Sequence, residues 1–193
     1  MRKVIVQQFV TLDGYAAGPN GELDFVTESG ASADPTEGPF VEKQLAFIES
    51  LDTILLGAVT YRGFAEYWPE QTTETQAIAD ALNATPKVVF SSTLESAPWG
   101  KWEPARLVSG SASEEVRRLK AESDGDMVVW GSLTLSDSLM RDGLVDEYRL
   151  QILPVVLGRG KRLFEEGLPP QHLKLLESDT YDEMVAARYA SGS

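Results

Sequence analysis

Short apolar runs alternate with stretches of helical spacing along the first two thirds of the chain. Strands are predicted for residues 4–12, from Thr53, from Lys87 and for residues 127–130, since these runs are rich in β-branched residues. Helices are predicted for residues 40–50, 74–83 and 113–123, and directly after Gly57 and Gly131. Alternation of this kind is typical of βα units and a mainly parallel sheet.

The last third of the chain has a different pattern. Residues 147–153, 173–178 and 183–189 look like strands with only loops or a short turn between them. This predicts an antiparallel edge on a parallel core. Apolar residues alternate at Leu150, Ile152 and Val155, as on a buried face or a subunit interface. Residues 29–38 are expected to be irregular, and a chain of 193 residues suits one domain over 1–193.

Three of the predicted strands end in small or hydroxylated residues. The ends are Gly57-Ala-Val-Thr60, Ser91-Ser92 and Gly131-Ser132. Ligands of open α/β sheets bind beyond the carboxyl ends of the strands, and a helix N-terminus favours phosphate. One such turn often serves only to make a corner, but three together predict a nucleotide cofactor site.

Composition excludes several functions. The formal net charge is −13, which opposes binding to nucleic acid or to an anionic membrane surface. The first residues lack a signal-peptide pattern, and no run is apolar enough to span a bilayer, so we expect a cytoplasmic protein. Without cysteine there is no thiolate site, and the single histidine, His172, lies in a predicted surface loop. No metal site is expected.

Some charged segments allow a functional and a structural interpretation. The densest basic patch, Arg159-Gly-Lys161-Arg162, is either an anion-binding group or a solubilising loop. Asp146 and Glu147 are adjacent in a predicted strand, so their side chains point to opposite faces and are not expected to share a ligand. Residues 124–126 lack the rest of a calcium-binding loop and predict a turn.

Five groups of residues in order along the chain resemble a known family. They are Thr11-Leu-Asp-Gly14 with Ala17-Gly-Pro-Asn-Gly21, Leu56-Gly-Ala-Val-Thr-Tyr61 with Tyr67-Trp-Pro69, Ser91-Ser92, Trp130-Gly-Ser132, and Gly143-Leu-Val-Asp-Glu-Tyr-Arg-Leu150 with Pro154-Val-Val-Leu-Gly-Arg-Gly-Lys-Arg-Leu-Phe164. The chain resembles bacterial dihydrofolate-reductase-like proteins. It is most similar to stand-alone relatives of the reductase domain of the bifunctional riboflavin-biosynthesis deaminase/reductase.

The resemblance implies an α/β protein with a three-layer αβα dihydrofolate-reductase-like fold. It also implies NADPH as hydride donor, a small pteridine-, pyrimidine- or flavin-precursor-like substrate, and a homodimer paired through the C-terminal strands. By this likeness the cofactor-binding residues are Gly57, Ala58, Thr60, Ser91, Ser92, Gly131, Ser132, Leu133 and Thr134. Asp13 and the loop residues Ala17, Gly18 and Asn20 would flank the nicotinamide and the substrate.

The chain departs from the family at two positions. Ala58 stands where relatives usually carry an arginine that pairs with the cofactor's 2′-phosphate, and a methyl group does not replace a guanidinium. This leaves the preference for NADPH over NADH open. Gln7 stands where riboflavin-pathway reductases tend to have a lysine, which makes a phosphoribosyl substrate less expected.

Candidate catalytic groups are few, because the cofactor carries hydride chemistry. Glu42 is the nearest counterpart, by spacing, of the acid of dihydrofolate reductases, and its alternative is an exposed helix carboxylate. Asp13 is either a polar anchor near the substrate or the turn residue before Gly14. Aromatic residues could shape a planar-ring pocket or pack in the core; they are Tyr61, Phe64, Tyr67 and Trp68.

The leading hypothesis is an NADPH-dependent reductase of a small heteroaromatic substrate. Two alternatives remain open. One is a non-catalytic module that keeps the fold and binds a nucleotide, and the other is a dimeric scaffold without a small ligand.

Overall fold

The structure is a computed structural model, and it describes residues 2–29, 36–122 and 125–192. The strands are β1 (Val4–Thr11), β2 (Tyr15–Ala17), β3 (Leu51–Gly57), β4 (Lys87–Phe90), β5 (Arg106–Val108), β6 (Asp126–Trp130), β7 (Glu147–Leu153), β8 (Lys161–Arg162), β9 (Leu173–Tyr181) and β10 (Met184–Ser191). The helices are α1 (Asp24–Glu28), α2 (Pro39–Glu49), α3 (Ala58–Tyr67), α4 (Ala79–Ala84), α5 (Ala112–Glu122) and α6 (Leu133–Arg141), with a 3₁₀ turn at Trp68–Glu70.

The central sheet has the order β5-β4-β3-β6-β1-β7-β10-β9. Its first six strands are parallel, whereas β10 runs antiparallel to both β7 and β9. The mainly parallel sheet with an antiparallel C-terminal edge is therefore confirmed. The assignment of residues 147–153 to that edge is wrong, because α6 carries the chain back across the sheet and β7 pairs in parallel with β1.

Helices cover both faces of the sheet and give three layers. On β1, Val4 and Val6 point into one core, which α5 and α6 cover, whereas Ile5 points into a second core beneath α2, α3 and α4. Leu150 is buried in the first core and Ile152 packs against it, so their alternation reflects packing within the chain.

Local hydrogen bonds explain the main difference from the predicted elements. The helix predicted for residues 74–83 is wrong in its first half, since α4 spans only Ala79–Ala84. The backbone N–H groups of Thr75 and Gln76 donate to the carbonyl of Thr72, and the Thr75 hydroxyl also donates to that carbonyl. Such side-chain bonds compete with helix formation. The short elements β2, β5, β8 and α1 were not predicted, and residues 30–35 and 123–124 lie outside the described residues.

Two loops are joined above the carboxyl ends of β1 and β7. Strand β2 pairs with β8, and the N–H of Leu12 donates to the carbonyl of Val155 at 2.9 Å. The N–H of Leu163 donates to the carbonyl of Gly14 at 3.2 Å. These bonds fix the loops at the same edge of the sheet as the three predicted strand ends. Within the described ranges, every helix is too short or too polar to cross a membrane.

Candidate cofactor and substrate site

The predicted strand ends come together, because β4, β3 and β6 are neighbours in the sheet and run in parallel. The N–H of Gly57 donates to Ser132 Oγ at 2.9 Å, and the N–H of Ser132 donates to Thr60 Oγ1 at 3.0 Å. These two bonds interlock the turn after β3 with the turn after β6.

The turn after β6 has an uncommon backbone. Gly131 and Ser132 have φ values of 63° and 54°, so two successive residues are left-handed. A Cβ on Gly131 would lie 3.2 Å from Thr60 Cγ2, and the Gly131 N–H donates to the carbonyl of Gln7 at 3.3 Å. The N–H groups of Gly57, Gly131 and Ser132 are thus bonded within the protein. The bonds of Gly57 and Ser132 hold the two turns together and that of Gly131 ties the second turn to β1, which sequence alone did not indicate.

The available donors belong to the helices that follow these turns. Helices α3 and α6 begin here, and no side chain caps either N-terminus. The N–H groups of a first helical turn have no acceptor within the helix, and the helix dipole makes this end positive. Neither first turn contains an acid, whereas the other four described α-helices each carry one there. Two adjacent, acid-free helix N-termini can bind a diphosphate.

The turn after β4, the third predicted strand end, lies beside the turns after β3 and β6 but has a different arrangement. Ser91 Oγ accepts the N–H groups of Thr93 and Leu94 at 3.2 and 3.1 Å, which closes a tight turn after β4. Ser92 is exposed at this turn. In the turn after β6, Leu133 is half-buried and Thr134 is exposed on the first turn of α6.

Asp13 holds the two loops above the ends of β1 and β7. Its Oδ1 accepts from Thr11 Oγ1 at 2.6 Å and from the Leu157 N–H at 3.2 Å, and its Oδ2 accepts from the Gly158 N–H at 2.8 Å. Partial burial would raise the pKa of Asp13, but these hydrogen bonds outweigh that effect and lower it. The bonds therefore persist at neutral pH and are lost as the pH falls through the lowered pKa.

Replacing Asp13 with asparagine should loosen the loop that contains Leu157 and Gly158. An amide group puts an NH2 donor where Oδ2 accepts, so one N–H loses its acceptor at a cost of about 1–2 kcal/mol. We expect the amide protons of Leu157 and Gly158 to exchange roughly tenfold faster in Asp13→Asn. Hydrogen exchange measures this directly. Glu42→Gln is the control, and unchanged exchange in Asp13→Asn would remove Asp13 as the anchor.

The loop from Ala17 to Gly21 lies next to this anchor. Ala17 and Gly18 are buried and Asn20 is exposed, and the N–H of Gly18 donates to the carbonyl of Glu22 at 2.9 Å. The N–H of Asn20 donates to Glu22 Oε2 at 2.8 Å. This tight turn continues from β2, so β2 and Asp13 together position it beside the strand ends.

Glu42 is exposed on α2, and the polar residue of that helix that faces the sheet is the buried Gln44. The aromatic cluster divides into core and surface. Tyr61 is buried and donates to the Pro98 carbonyl at 2.7 Å, and burial raises its pKa. Phe64 and Trp68 pack against the same core, whereas Tyr67 is 44% exposed. Most of this cluster therefore serves packing.

The other charged groups have separate surroundings. Asp146 accepts from the Val4 N–H and from Lys120, whereas Glu147 accepts from Arg188, so the two adjacent carboxylates have different partners. His172 is exposed, as are the three basic residues of the patch at 159–162. Within the part of the chain that the structure describes, no group of three or more histidine or acidic residues could hold a metal ion.

Sequence reasoning missed a set of buried or half-buried polar side chains on the face that α2 covers. Gln44, Gln151 and Arg149 lie there, and each has a side-chain atom without a hydrogen-bond partner. The signal that could have found them is a polar residue at an inward-facing position of an apolar strand, as at residues 149 and 151 of β7.

The model of one protein family, the RibD C-terminal domain, matches residues 2–187. The chain is 32% identical over 186 residues to the uncharacterized protein YyaP of Bacillus subtilis (strain 168), a match that covers 95% of this chain and 92% of the other. A putative riboflavin biosynthesis protein from Shewanella sp. PV-4 superposes with a TM-score of 0.78 at 21% identity, over 99% of both chains.

Dihydrofolate reductase from Enterococcus faecalis, complexed with NADP(H) and RAB-propyl, superposes with a TM-score of 0.61 at 13% identity. The superposition covers 99% of this chain and 97% of the reductase. At these identities the two solved structures show a shared fold. The predicted dihydrofolate-reductase-like fold is confirmed.

Proposed function

The chain belongs to the family of the RibD C-terminal domain, and on that premise we propose that it is a reductase that uses NADPH to reduce a small heteroaromatic acceptor. The observation that carries the proposal is the pair of interlocked turns at the ends of β3 and β6. They bring two uncapped, acid-free helix N-termini to one edge of the sheet, in a chain whose net charge is −13. An anionic cofactor needs such a local positive end.

The roles of the residues follow from their positions. The first turns of α3 and α6 bind the cofactor phosphates, and the bond between Thr60 and Ser132 fixes the spacing of those turns. Asp13 orders the loops that flank the nicotinamide and the acceptor. When bound, NADPH supplies the hydride, so the protein has mainly to align the acceptor, exclude water and admit a proton.

The proposed cofactor and acceptor class are supported by a structurally similar protein and by one buried residue. The Enterococcus dihydrofolate reductase carries NADP(H) on this fold. Gln7 is 1% exposed beside the Gly131 turn, and neither polar atom of its amide has a partner. A heteroaromatic ring with both donors and acceptors on its edge can satisfy such an amide.

Turnover tests the proposal. Purified protein with NADPH, or with NADH as comparator, is mixed in turn with dihydrofolate, pterins, flavins and pyrimidine precursors. Oxidation of the cofactor is followed as the decrease in absorbance of its reduced nicotinamide ring. Oxidation that depends on one of these acceptors supports the reductase. Binding of the nucleotide without oxidation of any would favour a non-catalytic nucleotide-binding module. Absence of binding at millimolar concentration overturns the proposal and leaves the scaffold hypothesis.

Ala58→Arg should raise the preference for NADPH over NADH. Ala58 is the first residue of α3, where a guanidinium can reach a phosphate at the helix N-terminus. A charge-assisted hydrogen bond contributes about 1.5–3 kcal/mol, so the ratio of the two dissociation constants should rise by about tenfold or more. Ala58→Gln supplies similar length without charge as the control. Equal ratios in the two variants would place the 2′-phosphate elsewhere.

We also propose a homodimer that acts in the cytoplasm. The C-terminal strands expose apolar side chains, with Leu175 53%, Leu176 44% and Val185 37% exposed. Strand β9 is at the edge of the sheet, where backbone groups can pair with another chain. Light scattering determines the oligomeric state, and a monomer at all concentrations would refute the dimer.

A further inference from the structure

A row of polar residues crosses the sheet on the face that α2 covers. Trp130 on β6, Gln7 on β1 and Arg149 on β7 are directly paired in register. The Gly131 N–H donates to the Gln7 carbonyl, so this row begins at the proposed cofactor turn. Neighbouring strands are about 4.8 Å apart, which places Arg149 roughly 10 Å across the sheet from that turn.

A cavity lies at the far end of this row, between α2 and the strands β7, β10 and β9. Its volume is about 30 Å³, and Gln44 and Gln151 line it. These two side chains are 6% and 3% exposed, and the Oε1 atom of each has no hydrogen-bond partner. Buried polar atoms are nearly always bonded in folded proteins, so unpartnered ones at a cavity indicate a place for a polar group of a ligand.

The charges around the cavity leave one cation without a counter-ion. Lys43 binds Glu177 and Asp179 at 2.8 and 2.7 Å. Arg188 binds Glu177 and Glu147 at 2.8 and 2.9 Å. Both carboxylates that line the cavity, Glu177 and Asp179, are therefore already paired.

Arg149 is the remaining cation, and its guanidinium carbon lies 3.8 Å from the centre of the Phe47 ring. Its Nε is buried without a partner, and within the described residues no carboxylate lies within ion-pair distance of it. Burial, together with the nearby charge of Arg188, lowers its pKa to about 10. Glu147 and Glu177 attract Arg149 from a distance but make no direct ion pair with it. A half-buried guanidinium that lines a cavity without a direct ion pair can bind a carboxylate ligand, which matches it in shape and charge.

We propose that this cavity binds a carboxylate group of the acceptor, with Arg149 as its counter-ion. Rotation of the Gln44 and Gln151 amides turns their NH2 groups toward the carboxylate oxygens, because these groups are the donors of the two side chains. The inference rests on the proposed function and narrows its substrate class to a planar heterocycle that bears a carboxylate. Gln7 lies between the cofactor turn and Arg149 in this row, so the acid is held about two strand spacings from the cofactor turn. Arg149 is therefore a specificity-determining residue.

A pair of matched fluorescent probes tests this assignment, namely pterin and pterin-6-carboxylate, titrated with and without NADP⁺. The pair differs only by the carboxylate. The protein's net charge of −13 disfavours the anion unless a specific cation holds it. We expect pterin-6-carboxylate to bind at least about tenfold more tightly than pterin. Equal affinities, a preference for pterin, or no binding of either probe at millimolar concentration would overturn the assignment.

Two variants locate the preference. Arg149→Met should abolish the difference between the probes, and Arg149→Lys, which keeps the charge without the planar fork, should retain only part of it. Arg117→Met is the charge-matched control, because Arg117 lies on α5 beyond the opposite face of the sheet, and it should keep the full preference. A merely structural role of Arg149 would lower the melting temperature and leave the preference unchanged, which contradicts the proposal.

The binding results with NADP⁺ and with the two probes distinguish an error in the carboxylate assignment from an error in the proposed reductase function. If NADP⁺ binds but the carboxylate gives no advantage, the reductase proposal stands and the role of Arg149 is refuted. If the carboxylate preference appears without NADP⁺ and no nicotinamide nucleotide binds, the cavity assignment stands and the reductase proposal fails.

Discussion

Gly131→Ala should weaken NADPH binding by about tenfold or more while the protein remains folded. The new Cβ would lie 3.2 Å from Thr60 Cγ2, closer than ordinary van der Waals contact. Thr60 accepts the Ser132 N–H, so its displacement moves the N-terminus of α3 relative to that of α6. Phosphate binding needs both termini in place, and displacements of about half an ångström matter at such sites. Titration calorimetry measures the loss.

Gly143→Ala is the matched control for this variant. Gly143 follows α6 at its other end and has φ 65°, close to the 63° of Gly131, but a Cβ there would meet nothing within 4 Å. Both substitutions put a side chain on a left-handed residue and should lower the free energy of unfolding by about 1–2 kcal/mol. Only Gly131→Ala should affect the nucleotide. Equal affinity in both variants would mean that the turn after β6 does not bind the cofactor.

Lys87→Met should cause the largest loss of stability, about 3–5 kcal/mol. Lys87 is buried, and its ammonium group donates to three carbonyl oxygens at 2.7, 2.6 and 2.7 Å, those of Leu82, Asn83 and Thr85. Helix α4 ends here before Pro86, which has no N–H to continue the helical bonding. Methionine has a similar volume but leaves the three carbonyls without this donor.

Denaturant unfolding measures this effect, and Lys101→Met is its control. Each lysine lies over a tryptophan ring, at 4.5 Å for Lys87 on Trp99 and 5.7 Å for Lys101 on Trp102. Lys101 is exposed, so its replacement should change the free energy of unfolding by less than about 0.5 kcal/mol. Similar values for both variants would show that the three carbonyl contacts do not stabilise the fold.

The parts of the fold that depend on local pattern could be predicted from the sequence. The ends of β3, β4 and β6 were recognisable because glycine or hydroxyl residues follow β-branched runs, and parallel pairing then brings such ends to one edge. The first half of the helix predicted for residues 74–83 could not be rejected, since the bonds that Thr72 and Thr75 make within their own turn leave no periodic signal.

The site was predicted less completely than the fold. Gly57 and Gly131 were expected to lie close to the cofactor phosphates, but nothing in the sequence indicated that their own N–H groups are bonded to Ser132 Oγ and to the Gln7 carbonyl. These bonds join residues that are 75 and 124 positions apart, so they depend on the sheet order and not on local sequence. Arg149 is a similar case, because its lack of a counter-ion follows from how Arg188 pairs with Glu177 across β9 and β10.

The central claim is that the N-termini of α3 and α6 together bind the phosphates of a nicotinamide nucleotide. Amide chemical shifts of ¹⁵N-labelled protein, followed during titration with NADP⁺, test it most directly. The account predicts that the largest shifts occur at the first-turn amides of Ala58, Val59, Leu133 and Thr134 and saturate together. Largest shifts at residues remote from these turns, or no shift at millimolar NADP⁺, would contradict it.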